Sequence, residues 1–193
     1  MSDLSVPPLS LAPLEAAAEP WHWPTPPFAG YLAGVAAGDV ACEIEGLTSA
    51  AIGAVLLALD FDAARLRIRV NVTGTELTLR FAQLRRITLI EPLLVQAPAA
   101  GDPHADLLSH HPVSDYRLRL AGGHGWMSGR SVGHVPSPHG VFLFPPTDDR
   151  GSVQRVFVPS STYSQFEIGP RIGELLVEQR AATPEQIDAA VAE

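Results

Sequence analysis

Seven histidines, thirteen arginines and one cysteine are the residues of this 193-residue chain with the most chemistry to offer. The histidines stand at 22, 104, 110, 111, 124, 134 and 139. A metal site needs such residues at fixed spacings on rigid elements, with cysteine or carboxylate ligands beside them. Here they sit next to glycine and proline in "DPHAD", "GGHGW" and "SPHGV", and no His-Glu-x-x-His or His-x-His spacing occurs. Solvated loop histidines and no metal are therefore expected. Nucleophile motifs are missing too: there is no Gly-x-Ser-x-Gly, no Ser-x-x-Lys and no paired cysteine and histidine. The glycine-rich "AGGHGWMSG" lacks the Gly-Lys-Ser/Thr ending of a phosphate loop and reads as a hairpin tip. A non-catalytic protein without a cofactor is the expectation. Cys42 has no second cysteine to pair with, and reads as a small core residue on a strand.

The arginines carry a stronger pattern. In "RLRIRVNV", Leu66, Ile68, Val70 and Val72 alternate with Arg65, Arg67, Arg69 and Asn71. A strand places the apolar set inside and the three guanidinium groups together on the other face. Arg80, Arg85 and Arg86 follow nearby. Guanidinium groups hold phosphates and carboxylates through two parallel hydrogen bonds, so Arg65, Arg67 and Arg69 are candidate anion ligands. The competing reading is a wet strand face paired with local Asp and Glu. Nucleic acid is excluded as a partner, because the net charge is −8 and a nucleic-acid surface needs a concentrated positive field. Every basic residue is arginine, which with abundant Ala and Pro points to high-GC bacterial coding.

Exposed aromatic residues are the other candidate contacts. Trp21 and Trp23 flank His22 in "EPWHWPTPPF", and Trp126 and Met127 sit in the glycine-rich hairpin tip. Each pair either contacts a partner protein or folds back on the core.

The elements that must position these residues are mainly strands. Residues 1–28 hold seven prolines, which remove backbone donors and block regular structure; they read as a flexible tail. Residues 29–168 read as a β-rich domain. "YLAGV", "VACEIEGL", "RLRIRVNV", "TELTLRF" and "AQLRRITLIEPL" are strands or strand-bearing, while "AIGAVLLALDF" is open between strand and buried helix. A loop over 97–114 is expected to hold one helical turn at "ADLLSHH", after which "YRLRLAGG", "GRSVGHV", "GVFLFPP", "VQRVFVP" and "YSQFEIG" resume the strand pattern. The stretches 53–91 and 129–168 share a layout: Leu84, Ile87 and Leu89 are spaced as Tyr163, Phe166 and Ile168 are. The expected fold is mainly β (α+β), with two small bent β-units of SH3-like or Sm-like type forming a roll or barrel pair, plus a C-terminal helical hairpin. No apolar run is long enough to span a bilayer, and the N-terminus has no basic region of a secretory signal.

The closing segment, "RIGELLVEQRAATPEQIDAAVAE", reads as a helix, a Thr-Pro-Glu-Gln helix start and a second helix. Ile172, Leu175 and Leu176 lie on one face, Ile187, Ala190 and Val191 on the next. This segment resembles the opening of the N-terminal domain of type II secretion and type IV pilus assembly ATPases, Arg-Leu-Gly-x-x-Leu-Val followed by a second helix. Arg171, Ile172, Gly173, Leu176 and Val177 carry the likeness; Arg180 stands where the family has a second glycine. The resemblance implies that 169–193 begins a helical domain that continues beyond Glu193, preceded by an accessory β domain. It implies a docking or regulatory module acting by protein–protein contact with the inner-membrane platform protein and the ATPase core. The expected location is cytoplasmic, peripheral to the inner membrane, without membrane insertion, and homo-oligomers are compatible with it. Leu175 and Leu176 would join Trp21, Trp23, Trp126 and Met127 as partner contacts. The alternative is a ligand sensor, in which Arg171, Gly173 and the arginines of "RLRIRV" bind cyclic di-GMP or another anion.

Overall fold

The computed structural model describes residues 21–27, 39–94, 113–123, 125–169 and 183. The expected strand at "YLAGV", the helical turn at "ADLLSHH" and the hairpin after Gly169, with Arg171, Gly173, Leu175 and Leu176, lie outside the described residues.

Period-two alternation builds the first half of the molecule. β1 (Val40–Gly46), β2 (Ile52–Asp60), β3 (Arg65–Val70), β4 (Glu76–Arg80) and β5 (Leu84–Leu93) follow in order. In β3, Leu66 and Ile68 are buried while Arg65 and Arg67 face solvent. Val72 departs from the expected apolar face and is 93% exposed. The strand stops short of it, because Val70 closes the turn: its N–H donates to Thr75 O at 2.9 Å and its carbonyl accepts from Gly74 N–H at 2.8 Å. The ambiguous "AIGAVLLALDF" is strand β2, paired on one side with β1 and on the other with β3. A register shift between Leu56 and Ala58 lets both Leu56 and Leu59 reach the core.

The second half is β6 (Ser114–Leu120), β7 (Trp126–Ser131), β8 (His134–Ser137), β9 (Gly140–Leu143), β10 (Val153–Pro159) and β11 (Tyr163–Ile168). β7 and β8 belong to different sheets and are separated by a corner. The buried Ser131 hydroxyl accepts from Phe144 N–H there at 2.8 Å, and Gly133 takes φ 92°, which a side chain would resist.

Among the described residues every pairing is antiparallel. One eight-stranded sheet runs β4-β3-β2-β1-β5-β10-β9-β8, and a three-stranded sheet runs β11-β6-β7. Among the described residues neither sheet closes into a barrel. The expected roll or barrel pair is replaced by an edge-to-edge joint, β5 against β10. Burial explains this. Val153 and Phe157 of β10 enter the main core, while Val156 and Val158 enter a second, smaller one. One strand thus covers two cores, and burial of both its faces favours a central position over closure.

The main core gathers Leu56, Leu66, Ile68, Ile87 and Leu89 from the first half and Phe142, Phe144 and Phe157 from the second. Trp23 is fully buried among them, edge-on to Phe142 with ring centroids 5.1 Å apart. Two short 3-10 turns stand beside this joint. Phe81–Gln83 links β4 to β5, and Ser160–Thr162 links β10 to β11. They touch: Thr162 Oγ1 donates to Leu84 O at 2.9 Å, and Ser161 Oγ donates to Phe81 O at 3.4 Å.

Candidate binding groove

The three arginines of β3 share a face but not a fate. Asp60 ends β2, and its Oδ1 accepts from Ala63 N–H at 2.9 Å, which shapes the turn. Its Oδ2 accepts from Arg65 Nε at 3.1 Å. The Ala63 amide first, and then Arg65, hold the Asp60 carboxyl below the ordinary carboxylate range. Arg69 lies between Glu76 at 3.2 Å and Asp39 at 3.3 Å, and its guanidinium is held in the charged form chiefly by the Glu76 contact. Arg85 and Arg86 both meet Glu45, at 3.2 and 3.1 Å. Arg67 differs: among the described residues it is exposed and makes no ion pair.

Arg67 and Arg65 border a groove of about 700 Å³ at the end of the β2–β3 hairpin, together with Trp21, Asp60, Asp62 and Thr78. The register shift in β2 places Ala58 opposite Arg67 and Asp60 opposite Arg65, so the two carboxylates and two guanidinium groups gather at one end. Trp21 is buried, and among the described residues its indole N–H finds no acceptor. A buried donor without a partner costs about 1–3 kcal/mol. The groove therefore offers an unpaired guanidinium, a wall of indole and a carboxylate pair. That set suits a planar or amphipathic guest carrying an anionic or carbonyl group. Arg69, by contrast, does not border it.

The other candidate residues fall elsewhere. Trp23 belongs to the main core, so it supports Trp21 and is closed to a partner. Trp126 is 46% exposed and lies under the Arg117 guanidinium, 5.4 Å from the ring centre. Met127 is half-buried against the smaller core. A second depression of about 450 Å³ opens on the three-stranded sheet between Asp115, Arg117, Arg130 and Glu167. A Cβ on Gly129 would come within 2.8 Å of Tyr116 Oη, so a side chain there would displace that ring. His22 is exposed, while His134 and His139 lie against Phe166 and Phe81. Among the described residues no three His, Cys, Asp or Glu gather as metal ligands would.

Arg155 is the residue that sequence reasoning missed. It stands on β10 in register with Leu89 and is 7% exposed. Its Nη2 donates to Glu91 O at 3.2 Å, and among the described residues its Nε has no partner. Burial lowers its pKa, with exposed Glu91 opposing the shift. Its parity with Val153 and Phe157 was the available signal, since it places all three on one face of a strand.

No protein-family model, curated protein or solved structure matches this chain.

Proposed function

We propose that the chain is a non-catalytic docking or regulatory module of a bacterial secretion or pilus motor, working by protein–protein contact. The observation that carries this reading is the β5–β10 joint, which fuses both halves of the chain into one eight-stranded sheet. A continuous sheet is a stiff adaptor. It fixes the distance between contact surfaces at opposite ends, which a flexible pair of modules would not do. The halves read as two small bent units of SH3-like or Sm-like type, each with a strand, a 3-10 turn and a strand at its close. The resemblance of the closing segment to the secretion ATPases supplies the partner: the inner-membrane platform protein on one side and the ATPase core on the other. This reading places the chain in the cytoplasm beside the inner membrane; among the described residues no helix is long and apolar enough to cross one. The test is co-purification of the full chain with the cytoplasmic domain of a platform protein. Retention expected for wild type is weakened by Trp126→Ala; equal retention on an unrelated bait contradicts the reading.

A second reading is favoured by one observation, the Arg67 guanidinium, without an ion pair among the described residues, in a groove that Trp21 also lines. An anionic ligand, cyclic di-GMP among the candidates, would enter this groove and pair with Arg67. Calorimetric titration decides: heat that disappears in Arg67→Gln supports this reading, and no heat with the wild-type chain removes it.

A further inference from the structure

Two strand pairs, β4–β5 and β10–β11, turn through an unbroken 3-10 turn; the turn between β6 and β7 is broken by Gly122 at φ 75°. Inside the molecule the outgoing strand of the first corner pairs with the incoming strand of the second, β5 with β10. The remaining members of the set are β4 and β11. Among the described residues each has a single partner, β3 and β6 respectively, so each keeps one open edge. An open edge is a row of unmet backbone donors and acceptors, ready to accept another strand.

The internal joint predicts how the open edges would meet. It sets Phe157 opposite Ile87 and Arg155 opposite Leu89. The corners align Leu84, Ile87 and Leu89 with Tyr163, Phe166 and Ile168, and the same offset takes Phe157 to Thr78 and Arg155 to Glu76. Carried over, the internal register places Thr78 of one copy opposite Phe166 of another, and Glu76 opposite Ile168.

The backbone phase agrees with this register, on independent grounds. In an antiparallel pair, residues alternate between those bonded to the partner strand and those whose N–H and C=O point away. Val70 N–H bonds Thr75 O, and Phe81 N–H bonds Ala64 O. Counting from either end of the β3–β4 register, Glu76, Thr78 and Arg80 point away from β3, and the Arg80 N–H is already taken by Gln83 Oε1 at 2.8 Å. On the other edge, Gly169 N–H bonds Asp115 O. Counting from there along the β6–β11 register, Phe166 and Ile168 point away from β6. Glu76 and Thr78 therefore each meet a residue that points outward on β11. A slip of one residue would leave every one of these groups unmet. The side chains repeat the internal arrangement as well: Leu77 would face Glu167, as Val156 faces Thr88 inside the molecule.

We propose that copies of this chain assemble head to tail, β4 of one copy adding antiparallel to β11 of the next, with Thr78 opposite Phe166. The occupant is a second copy because register, phase and corner are all supplied by the chain itself. The contact uses different surfaces on its two sides, so repetition gives a ring if the rotation closes and a filament if it does not. It is weaker than the internal joint. Thr78 and Glu76 stand where β10 carries the buried Phe157 and Arg155, so less apolar surface is removed from water. The inference rests on the two corners and stands whether or not the module serves a motor.

Sedimentation velocity of the full chain over a range of concentrations is the first test, and the expected result is a mass that rises with concentration. Thr78→Pro removes an outward-pointing N–H while sparing the bonds to β3, as edge prolines do. It should return the chain to monomer with an unchanged far-UV spectrum. In case that variant fails to fold, Leu77→Cys and Glu167→Cys chains are mixed and mildly oxidised. They should cross-link into disulfide dimers several-fold more readily than Leu77→Cys mixed with Ser164→Cys. A wild-type chain that stays monomeric throughout overturns the proposal. So does assembly that a folded Thr78→Pro leaves intact, or a cross-link no better than that control.

Discussion

β4 and β10 both run into a 3-10 turn, and both turns lead straight into another strand. Their surroundings are opposite. Of the five residues of β4, only Leu79 is even half-buried, whereas in β10 every residue but the half-buried Gln154 is buried. The sequences match these positions. "ELTLR" alternates, as an edge strand with one wet face requires, and "VQRVFVP" is nearly continuous, as a central strand with two dry faces requires. The difference shows what joins the molecule. The second half supplies a strand apolar on both faces, and β5 accepts it, so two cores share one wall. The first half keeps its equivalent strand polar on one side and therefore open.

Substitutions on the two strands should separate most sharply at equivalent positions. Phe157 is fully buried, with its ring 4.8 Å from Phe142. Phe157→Asp combines a large cavity with an unpaired buried charge and should abolish folding, a loss above about 5 kcal/mol. Thr78→Asp, its counterpart on the open edge, should stay within about 0.5 kcal/mol of wild type. Chemical denaturation of both variants checks this, and comparable losses would remove the contrast.

Within β3 the same contrast runs across one strand. Ile68 is fully buried and Arg67 exposed. Ile68→Asp should cost several kcal/mol and Arg67→Asp about 0.5 kcal/mol or less. A larger loss from Arg67→Asp would mean that the groove holds more of the fold together than its exposure implies.

Gly140 sharpens the account of the second half. A Cβ there would strike the Val158 carbonyl and come within 2.9 Å of Phe157. Gly140→Ala should therefore cost about 1–3 kcal/mol by forcing β9 away from β10. A variant as stable as wild type would mean that the two strands separate easily.

An effect confined to alkaline solution is a pH dependence. Burial pushes the Cys42 thiol from its ordinary value of 9.0 up to about 12. The folded chain therefore keeps a proton that the unfolded chain releases above pH 9.0. Stability should fall as pH rises from there toward about 12, by at most about 1.4 kcal/mol per pH unit from this group. Below pH 9.0 both states hold the proton and the contribution vanishes. Denaturation midpoints of wild type and Cys42→Ala should diverge in slope only above that pH, and parallel curves would show that the thiol is not sealed.

Much of the fold was legible in alternation. β3, β4 and most strands of the second half follow from period two, whereas "GRSVGHV", read as one strand, is split at Gly133 between β7 and β8 of different sheets. The eight-stranded sheet did not follow, because the partner of β10 is set by burial across the chain, and nothing local encodes it. The groove was half legible. Alternation placed Arg65 and Arg67 on one face, but the register shift in β2 that brings Asp60 to Arg65, and the docking of Trp21 from a distant segment, leave no short-range signature. Trp21 and Trp23 were legible as aromatic candidates, yet only packing separates a groove wall from a core residue. Arg155 hid because an arginine in a strand is normally read as outward, and on a strand with two dry faces no side is outward.

Amide hydrogen exchange tests the central claim most directly, that β5 and β10 weld the two halves into one body. The Arg155 and Phe157 amides face β5, since Gln154 N–H bonds Pro145 O and Ser160 N–H bonds His139 O on the other side. Under conditions where exchange reports opening free energy, these two should be as protected as Ile68 in β3, because the sheet opens only as a whole. Exchange of Arg155 and Phe157 much faster than Ile68, with the β9 pairing still protected, would show that the halves part while each stays folded, and the single-body account would fail.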